Sequence, residues 1–403
     1  MPSPSTTAVR ALAIALSVLA IPLAAALLSS PATHLPPAGF YIAPAGDDAD
    51  PCTLTSPCLT VPRAVGLAAP GDTVYARGGS YSILGEQWIV GTGDVGQPIT
   101  ITSYPGETAL FSAAGANLTQ FAPVLRIADS RHVVLDRVSV CCSTGRGISI
   151  TASENITISR TTVTEIGDRA IGGHGDNITI EGNVIDRAVL LNEDRTASGG
   201  WGAGIASWSW PDDSPSRQWV VTGNTVTRTY GECYIALMVI SFSFIGNVAD
   251  GCFSVDLYVD RARDGIIAGN HLRATIPGFE RNGRNAHGIL FAAESSAVAI
   301  TPGNVTVADN VIGPGVEVGI HWWEDPENLG TWNTYDNLVI VRNRFQSTDS
   351  FDAEFPPLTG GGDPPCCSRF SENLVSGISV FGDAGAWTVE NNGPPRRPFW
   401  PAI

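Results

Sequence analysis

The sequence predicts an all-β fold, a parallel β-solenoid in which short strands wind into stacked coils. One observation is a recurring phrase of β-branched and apolar residues that ends in Asn, as in Asn224, Asn247 and Asn270, which follow one another at steps of 23 residues. A second is the 44 glycines and 28 prolines in a chain that is 43% apolar, which suits a long all-β repeat. Further clear copies of the phrase end in Asn183, Asn310 and Asn343, and weaker ones place Arg137, Thr161 and Asn392 at the same position.

A coil of this length holds three short strands, and it buries its apolar side chains only when other coils stack on it at about 4.8 Å. Asn suits the bend between strands because it tolerates a left-handed backbone and can hydrogen-bond the same Asn of the next coil. Longer steps, such as that from Asn270 to Asn310, indicate insertions between the strands. No helical periodicity competes with this pattern.

The charge balance excludes two classes of function. The formal net charge is −16, and all 23 basic residues are arginine, because the sequence contains no lysine. An acidic chain without a basic run cannot neutralise nucleic-acid phosphates and is repelled by anionic lipid surfaces. We therefore expect no nucleic-acid partner and no membrane-surface role.

Residues 1–32 have the pattern of a signal peptide. Arg10 precedes an apolar stretch at 11–28, and small residues follow up to Ala32. A membrane anchor is the alternative, but Pro22 and the candidate cleavage sites after Ala26 or Ala32 favour removal. We expect a secreted or cell-surface monomer with no membrane segment after cleavage.

Export makes disulfides the expected state of the eight cysteines. Cys52 and Cys58 bracket a short turn and form the pair that the sequence supports best. The partners of the other six stay open, and these are Cys141, Cys142, Cys233, Cys252, Cys366 and Cys367.

Four segments near the N-terminus, at 40–48, 57–65, 69–81 and 98–107, resemble the entry region of secreted polysaccharide lyases of family nine and their uncharacterised relatives. The chain thus resembles the right-handed parallel β-helix, or pectate-lyase-like, superfamily. The apolar spacing of 59–68 predicts a short helix that caps the first coil. The predicted organisation is a cap with entry strands at 38–97, a single-stranded right-handed parallel β-helix at 98–392 and a Pro-rich tail at 393–403.

A Gly-Ile motif aligns one strand of each coil and predicts which side chains face outward. The apolar second residues of the motif, Ile235 among them, are expected to point inward, and the positions one, three and five residues later to point outward. Insertions at 190–202, 273–287, 313–319 and 347–377 should wall a groove along this face. Aromatic and imidazole side chains on it are the predicted sugar-binding residues: His174, Trp208, Trp210, Tyr258 and Trp323. Simple packing of the tryptophans under the loops is the alternative.

Carboxylates on the same face predict an acid/base site. Glu294 and Asp325 fall in one outward column, and Asp260 should lie about 8 Å from Glu294, spacings that suit glycoside hydrolysis. Glu324 and His321 adjoin them and complete the predicted catalytic set.

The resemblance implies a different reaction, β-elimination at a uronate assisted by Ca²⁺, for which Asp256 and Asp260 are the candidate ligands; no other cofactor is expected. The family's lysine base is absent here, but other β-helix lyases use arginine, so the resemblance makes Arg261 or Arg263 the candidate base. A surface salt-bridge run at 260–264 is the alternative. A non-catalytic adhesion or carbohydrate-binding β-helix is the third possibility. We favour an enzyme, a glycoside hydrolase or lyase acting on a polysaccharide.

Overall fold

The computed structural model describes residues 37–208, 214–294, 300, 302–323, 335–346, 348–358 and 366–394. The chain winds as a parallel β-helix, because each strand pairs in parallel with the strand one coil further on. One coil runs through Glu232–Leu237, Val239–Ile245 and Val248–Cys252, and the next repeats the path. The predicted fold class is confirmed.

The strands form three faces. A 22-stranded sheet bends to make the first and second faces, and a 10-stranded sheet makes the third. The first face contains Gln87–Ile89, Pro123–Ala128, the first part of Arg146–Ser159 and of Ile171–Glu181, Ala203–Ser207, Glu232–Leu237, Val255–Asp260, His287–Ala292, Val318–Trp323, Phe351–Phe355 and Ile378–Phe381. The second contains Phe40–Ile42, Thr73–Ala76, Ile99–Ser103, Arg131–Asp136, the later parts of the two long strands, Ser216–Thr222, Val239–Ile245, Arg263–Ala268, Gly303–Ala308, Asp336–Val341, Ser368–Ser371 and Trp387–Glu390. The third contains Gly79–Ser82, Ala109–Ser112, Ser139–Ser143, Thr162–Ile166, Val184–Asp186, Thr225–Thr229, Val248–Cys252, His271–Arg273, Val311–Ile312 and Arg344–Phe345.

A short helix at Val61–Val65 packs beside the first strands, as predicted for a cap. Thr60 is its N-cap, and the Thr60 hydroxyl accepts a hydrogen bond from the Arg63 amide at 3.3 Å. The side chains of Val61, Ala64 and Val65 are buried, so the helix covers apolar surface that the first coil would otherwise expose. Two 3-10 turns, Leu190–Asn192 and Ala384–Ala386, complete the helical elements of the described residues.

Stacked apolar columns fill the interior. On the first face one inward column runs in register through Ile148, Ile171, Ile205, Tyr234, Leu257, Ile289 and Ile320, all buried. The expectation that Ile235 points inward is wrong by one residue, because Tyr234 occupies the inward position. Tyr234 fits there because its hydroxyl donates to the carbonyls of Asn224 and Val248 inside the coil.

The recurring Asn residues form a continuous buried ladder. The amide nitrogen of each donates to the amide oxygen of the next at 2.8 to 3.1 Å, from Asn183 to Asn392. Asn373 belongs to this ladder, although the sequence reading passed over it. One coil before Asn183, Thr161 holds the Asn position, as expected. In the coil before that, Val138 holds it rather than Arg137. The Val138 carbonyl accepts a hydrogen bond from the Thr162 amide, as the carbonyls of the ladder Asn residues do in later coils.

The structure contains the expected bond between Cys52 and Cys58, whose Cα atoms are 4.6 Å apart. Cys141 is bonded to Cys142 and Cys233 to Cys252, whereas Cys366 and Cys367 are free. None of the described helices is long and apolar enough to cross a bilayer. The predicted signal peptide and most of the predicted tail lie outside the described residues, so both stay predictions.

Candidate functional site

A cavity of about 570 Å³ opens on the outward side of the first face, which we call the groove site. It brings together seven of the residues predicted from sequence, namely Trp208, Tyr258, Asp260, Arg261, Glu294, His321 and Trp323. It is also lined by Trp201 and His287, which lie in the predicted wall insertions, and by Glu232 and Arg281, which were not predicted as site residues.

Asp260 ends the strand Val255–Asp260 and lies at the floor of the groove site with 2% of its surface exposed. Its Oδ1 accepts a hydrogen bond from the Glu294 backbone amide at 3.0 Å, and its Oδ2 lies 3.3 Å from Nη2 of Arg261. Burial raises the pKa of Asp260 to about 7, with the Glu294 charge adding to the rise and Arg261 opposing it. Asp260 can therefore hold a proton near neutral pH.

Glu294 follows the strand His287–Ala292 and is only partly buried. Its Oε1 accepts a hydrogen bond from the Tyr258 hydroxyl at 2.5 Å. Burial and the charges of Asp260 and Glu294 raise the pKa of Tyr258 well above its usual value. Tyr258 thus stays a donor, and it fixes the Glu294 carboxylate beside Asp260.

Glu232 is a third acid of the groove site. Only 8% of its surface is exposed, and burial raises its pKa to about 8, although a hydrogen bond from the Trp201 indole opposes the shift. The register of Tyr234 with Leu257 places Glu232 in one column with Val255 and His287. Strict alternation from Tyr234 would turn this column inward, but Cys233 and Tyr234 both lie in the core, and the column lines the cavity instead. No repeated residue type marks this column, which also holds Ala203 and Val255, so the sequence carried no signal for Glu232.

Arg261 supplies donors without a protein partner. It is 7% exposed, and its Nε and Nη1 have no hydrogen-bond partner among the described residues. Because a buried guanidinium with unused N–H groups is costly, these donors suit an anionic or hydroxyl-rich ligand in the cavity.

Two stacked histidines border the groove site. The rings of His287 and His321 are 5.2 Å apart between centroids, and Nδ1 of His321 lies 3.1 Å from Oε2 of Glu354. Burial lowers the pKa of His287 to about 4, and burial also lowers that of His321 despite Glu354. Both rings are therefore neutral around pH 7.

The insertions at 190–202 and 273–287 wall the groove site, as their positions predicted. The Arg281 guanidinium lies 4.8 Å from the centre of the Trp201 ring and donates to the Ser198 carbonyl at 3.0 Å. In return Arg195 donates to the Gly278 carbonyl at 2.9 Å. The two loops thus hold each other in place.

Five predicted residues are not among those that the described part of the chain places at the groove site. Trp210, Glu324 and Asp325 lie outside the described residues, so the predicted Glu294–Asp325 pair stays a prediction. His174 lines a separate cavity of about 510 Å³. Its strand bends after Gly173, and this bend directs His174 away from the groove site.

Asp256 also lies elsewhere, in the core. It is fully buried, neither carboxylate oxygen has a hydrogen-bond partner, and burial raises its pKa. It stands in register with Gly288, where a Cβ would meet the core residue Ile312 at 2.7 Å. Asp256 and Asp260 therefore do not form the calcium-binding pair that the resemblance implied. In the described part of the chain the single group with metal-ligand spacing is Asp256 with the bonded Cys233 and Cys252.

Comparison with known families supports the fold. Residues 40–212 match the family described as Pel9A-like, right handed beta helix region, which confirms the resemblance drawn from the sequence and the right-handed β-helix. Pectate lyase PEL9 of Emericella nidulans is 32% identical over 73 residues, and this match spans 18% of each protein.

Solved structures share the architecture at low identity. A GH136 lacto-N-biosidase from Eubacterium ramulus superposes with a TM-score of 0.59 at 13% identity, covering 88% of this chain and 67% of that one. The surface adhesin PfbA of Streptococcus pneumoniae gives 0.59 at 12% identity over 78% and 80% of the two chains. Pectate lyase Pel9A gives 0.53 at 13% identity over 88% and 78%. At such identities the likeness shows the fold alone.

Proposed function

We propose that the protein is a secreted or cell-surface enzyme that binds a polysaccharide in the groove site and cleaves it by acid/base catalysis. The observation that carries the proposal is the pair formed by Asp260, a buried acid with a pKa of about 7, and Glu294, a more exposed carboxylate held by Tyr258. Two neighbouring carboxyl groups in unlike surroundings are what glycoside cleavage requires. The local match to a pectate lyase supports a polysaccharide as the substrate class.

The aromatic rings of the groove site suit sugar binding. Trp323 leaves 37% of its surface exposed, and Trp208 is partly exposed beside it in the same cavity. Sugar rings stack their C–H faces on such surfaces, while carboxylates and guanidinium groups bond their hydroxyls. An exposed Trp323 contributes little to the core, so a binding role accounts for it better than packing does.

In the proposed hydrolysis Asp260 gives its proton to the glycosidic oxygen as the bond to the leaving sugar breaks. Glu294 takes a proton from the attacking water, whose oxygen forms the new bond to the sugar. Proton transfer from Glu294 back to Asp260 through solvent restores the starting state. Tyr258 orients Glu294, and Arg261 lies beside Asp260, where it stabilises the carboxylate that forms.

Elimination is the second candidate, and the unused donors of Arg261 favour it. Nε and Nη1 of Arg261 would bind a uronate carboxylate and acidify the neighbouring C–H proton. Glu294 would take this proton, while Asp260 gives its own proton to the glycosidic oxygen as that bond breaks. The product of this reaction carries a new carbon–carbon double bond and consumes no water, so the two reactions are separable by product analysis.

The test is turnover of a panel of neutral and acidic polysaccharides by the purified chain. Reducing ends report both reactions, and ultraviolet absorbance of the unsaturated product reports elimination alone. Each assay is run with Ca²⁺ and with a chelator. Asp260→Asn is the variant, and Asp309→Asn is the matched control, since Asp309 pairs with Arg342 on an exposed part of the helix.

Hydrolysis by the native chain and by Asp309→Asn, but not by Asp260→Asn, supports the proposal. If unsaturated products appear and are lost when Arg261 is substituted, the reaction is elimination rather than hydrolysis. Binding of a polysaccharide in affinity electrophoresis without any turnover would assign the chain to the non-catalytic, adhesin-like class.

A further inference from the structure

Cys366 and Cys367 are neighbouring free cysteines at the start of the strand Ser368–Ser371, on the second face and apart from the groove site. Both are exposed, and their Sγ atoms are 2.6 Å apart. The Cys366 amide donates to Oδ1 of Asp336, and the Cys366 carbonyl accepts from the Asn337 amide, both at 2.9 Å. The preceding coil thus fixes the backbone that carries the two thiols.

The backbone of this pair resembles that of the bonded pair Cys141–Cys142. The second cysteine is left-handed in both, with φ of 65° at Cys142 and 66° at Cys367. Cys367 continues a column of left-handed corner residues, after Asn304 and Asn337 in the preceding coils, so the stacking of the coils imposes this backbone. The second cysteine of the free pair is thus held at the φ that the second cysteine of the bonded pair has.

A cavity of about 390 Å³ adjoins the two thiols. It is lined by the Arg263 guanidinium and by the amide side chains of Asn304 and Asn337. This volume lies within the range of small-molecule sites. Arg263 is partly exposed and already pairs with Asp264, whose Oδ2 lies 3.4 Å from its Nε, and Asp336 also lines the cavity. The cavity therefore offers a small thiol compound one cation and one anion, together with the two amides.

Exposure separates this pair from the three disulfides. Cys52, Cys58, Cys233 and Cys252 are each no more than 1% exposed, and Cys141 is 7% exposed. Cys142 is partly exposed, but its bonded partner is buried, whereas both cysteines of the free pair are exposed. Thiol–disulfide exchange needs access of one sulfur to another. A dissolved thiol or disulfide therefore reaches Cys366 and Cys367 before the other pairs.

We propose that Cys366 and Cys367 form a reversible redox-modification site, which closes to a disulfide between neighbouring residues by exchange with a low-molecular-weight disulfide. A thiolate of the pair attacks the small disulfide, forms a mixed disulfide and releases one small thiol. The second cysteine then attacks the mixed disulfide and releases the other small thiol. Two thiols and one small disulfide become one protein disulfide and two small thiols, so electrons and protons balance.

The probes are glutathione disulfide and phenylarsine oxide, an arsenical that bridges two adjacent thiols. The full chain is first treated with a mild reductant, and intact mass then follows each reaction. With glutathione disulfide we expect a loss of two hydrogens and no retained glutathione. Cys367→Ser, which leaves one thiol, should retain one glutathione because no second thiol can displace it.

Phenylarsine oxide should bind the reduced chain in equimolar amount and should not bind Cys366→Ser or Cys367→Ser. The inference is overturned if the native chain keeps glutathione on both cysteines, if it binds no arsenical, or if mild reductant opens Cys141–Cys142 before it yields the two thiols at 366 and 367. Each measurement on the native chain stands without the variants, so poor folding of a variant leaves the test intact.

Discussion

The Tyr258 hydroxyl donates to Oε1 of Glu294 at 2.5 Å, and this contact joins two successive coils of the first face. Asp260 adds a second link, since its Oδ1 accepts from the backbone amide of the same glutamate at 3.0 Å. The side chain and the backbone of Glu294 are therefore both positioned by the preceding coil. Such a double constraint is what a reacting carboxylate needs.

Tyr258→Phe should lower turnover about 10- to 100-fold, because a hydrogen bond to a charged group is worth about 1.5–3 kcal/mol. The ring keeps its packing, so the melting temperature should change little. Initial rates on the polysaccharide found in the panel provide the measurement, with Tyr75→Phe, which lies far along the chain on another face, as the control. An unchanged rate in Tyr258→Phe would show that Glu294 takes no part in the reaction.

Activity should fall as the pH rises past about 7, because Asp260 must carry a proton and its pKa is about 7. The decline should follow a single ionisation in the pH profile of kcat/KM. Asp260→Glu, which retains a carboxyl group, should shift this alkaline limb, whereas Asp309→Asn should leave it in place. An identical limb in all three proteins would assign the ionisation to another group.

The contribution of Glu232 to the stability of the chain should fall as the pH rises from about 4.5 to about 8. Burial raises the pKa of Glu232 from 4.5 to about 8, so the folded chain holds a proton in this range that the unfolded chain has released. Because the folded state binds the additional proton, low pH favours it. The stability that Glu232 contributes is therefore fully present below pH 4.5 and is lost as the pH rises through about 8. Urea unfolding at intervals of pH measures it.

Glu232→Gln removes this titration, so the stability of the variant should rise relative to that of the native chain as the pH goes from about 4.5 to about 8. Glu181→Gln, on the second face, is the control and should retain the native slope. Equal slopes for the native chain and Glu232→Gln would mean that Glu232 is ionised in the fold throughout.

Asn270→Ala should lower the free energy of unfolding by about 3 kcal/mol or more, since buried partners left unsatisfied cost about 1–3 kcal/mol each. Asn270 is fully buried, donates to the Phe244 carbonyl and Asn310, and accepts from Asn247. Asn285→Ala is the matched control, because Asn285 bonds Asp349 at the surface and, like Asn270, has no left-handed backbone. Denaturant unfolding that finds equal losses for the two variants would refute a structural role of the buried ladder.

The stacked coils could be predicted from the sequence because one buried Asn recurs at the same bend of successive coils. The position of single side chains was predictable only where alternation holds. It holds at Tyr258 and Asp260, and both face the groove as expected. It fails at the start of the strands, so that Asp256 turns into the core and Glu232 turns out.

The positions of loop residues could not be predicted from the alternation of side chains along a strand. Trp201 and Arg281 meet at 4.8 Å although 80 positions separate them, and no local pattern encodes the paths of their two loops. The protonation state of Asp260 could not be predicted from the sequence either, because its pKa depends on how completely the walls of the groove exclude water.

Successive members of the Asn ladder are separated by 19 to 41 residues, yet their hydrogen bonds stay within 2.8 to 3.1 Å. Length can thus be added at one corner of a coil without disturbing the opposite corner. Lengthening a surface loop costs little, since the entropy of closure grows slowly with length. The loops that wall the groove are therefore free to diversify under selection while the stacked coils stay constant. A designer could exchange the 190–202 loop for a foreign one and expect the β-helix to fold.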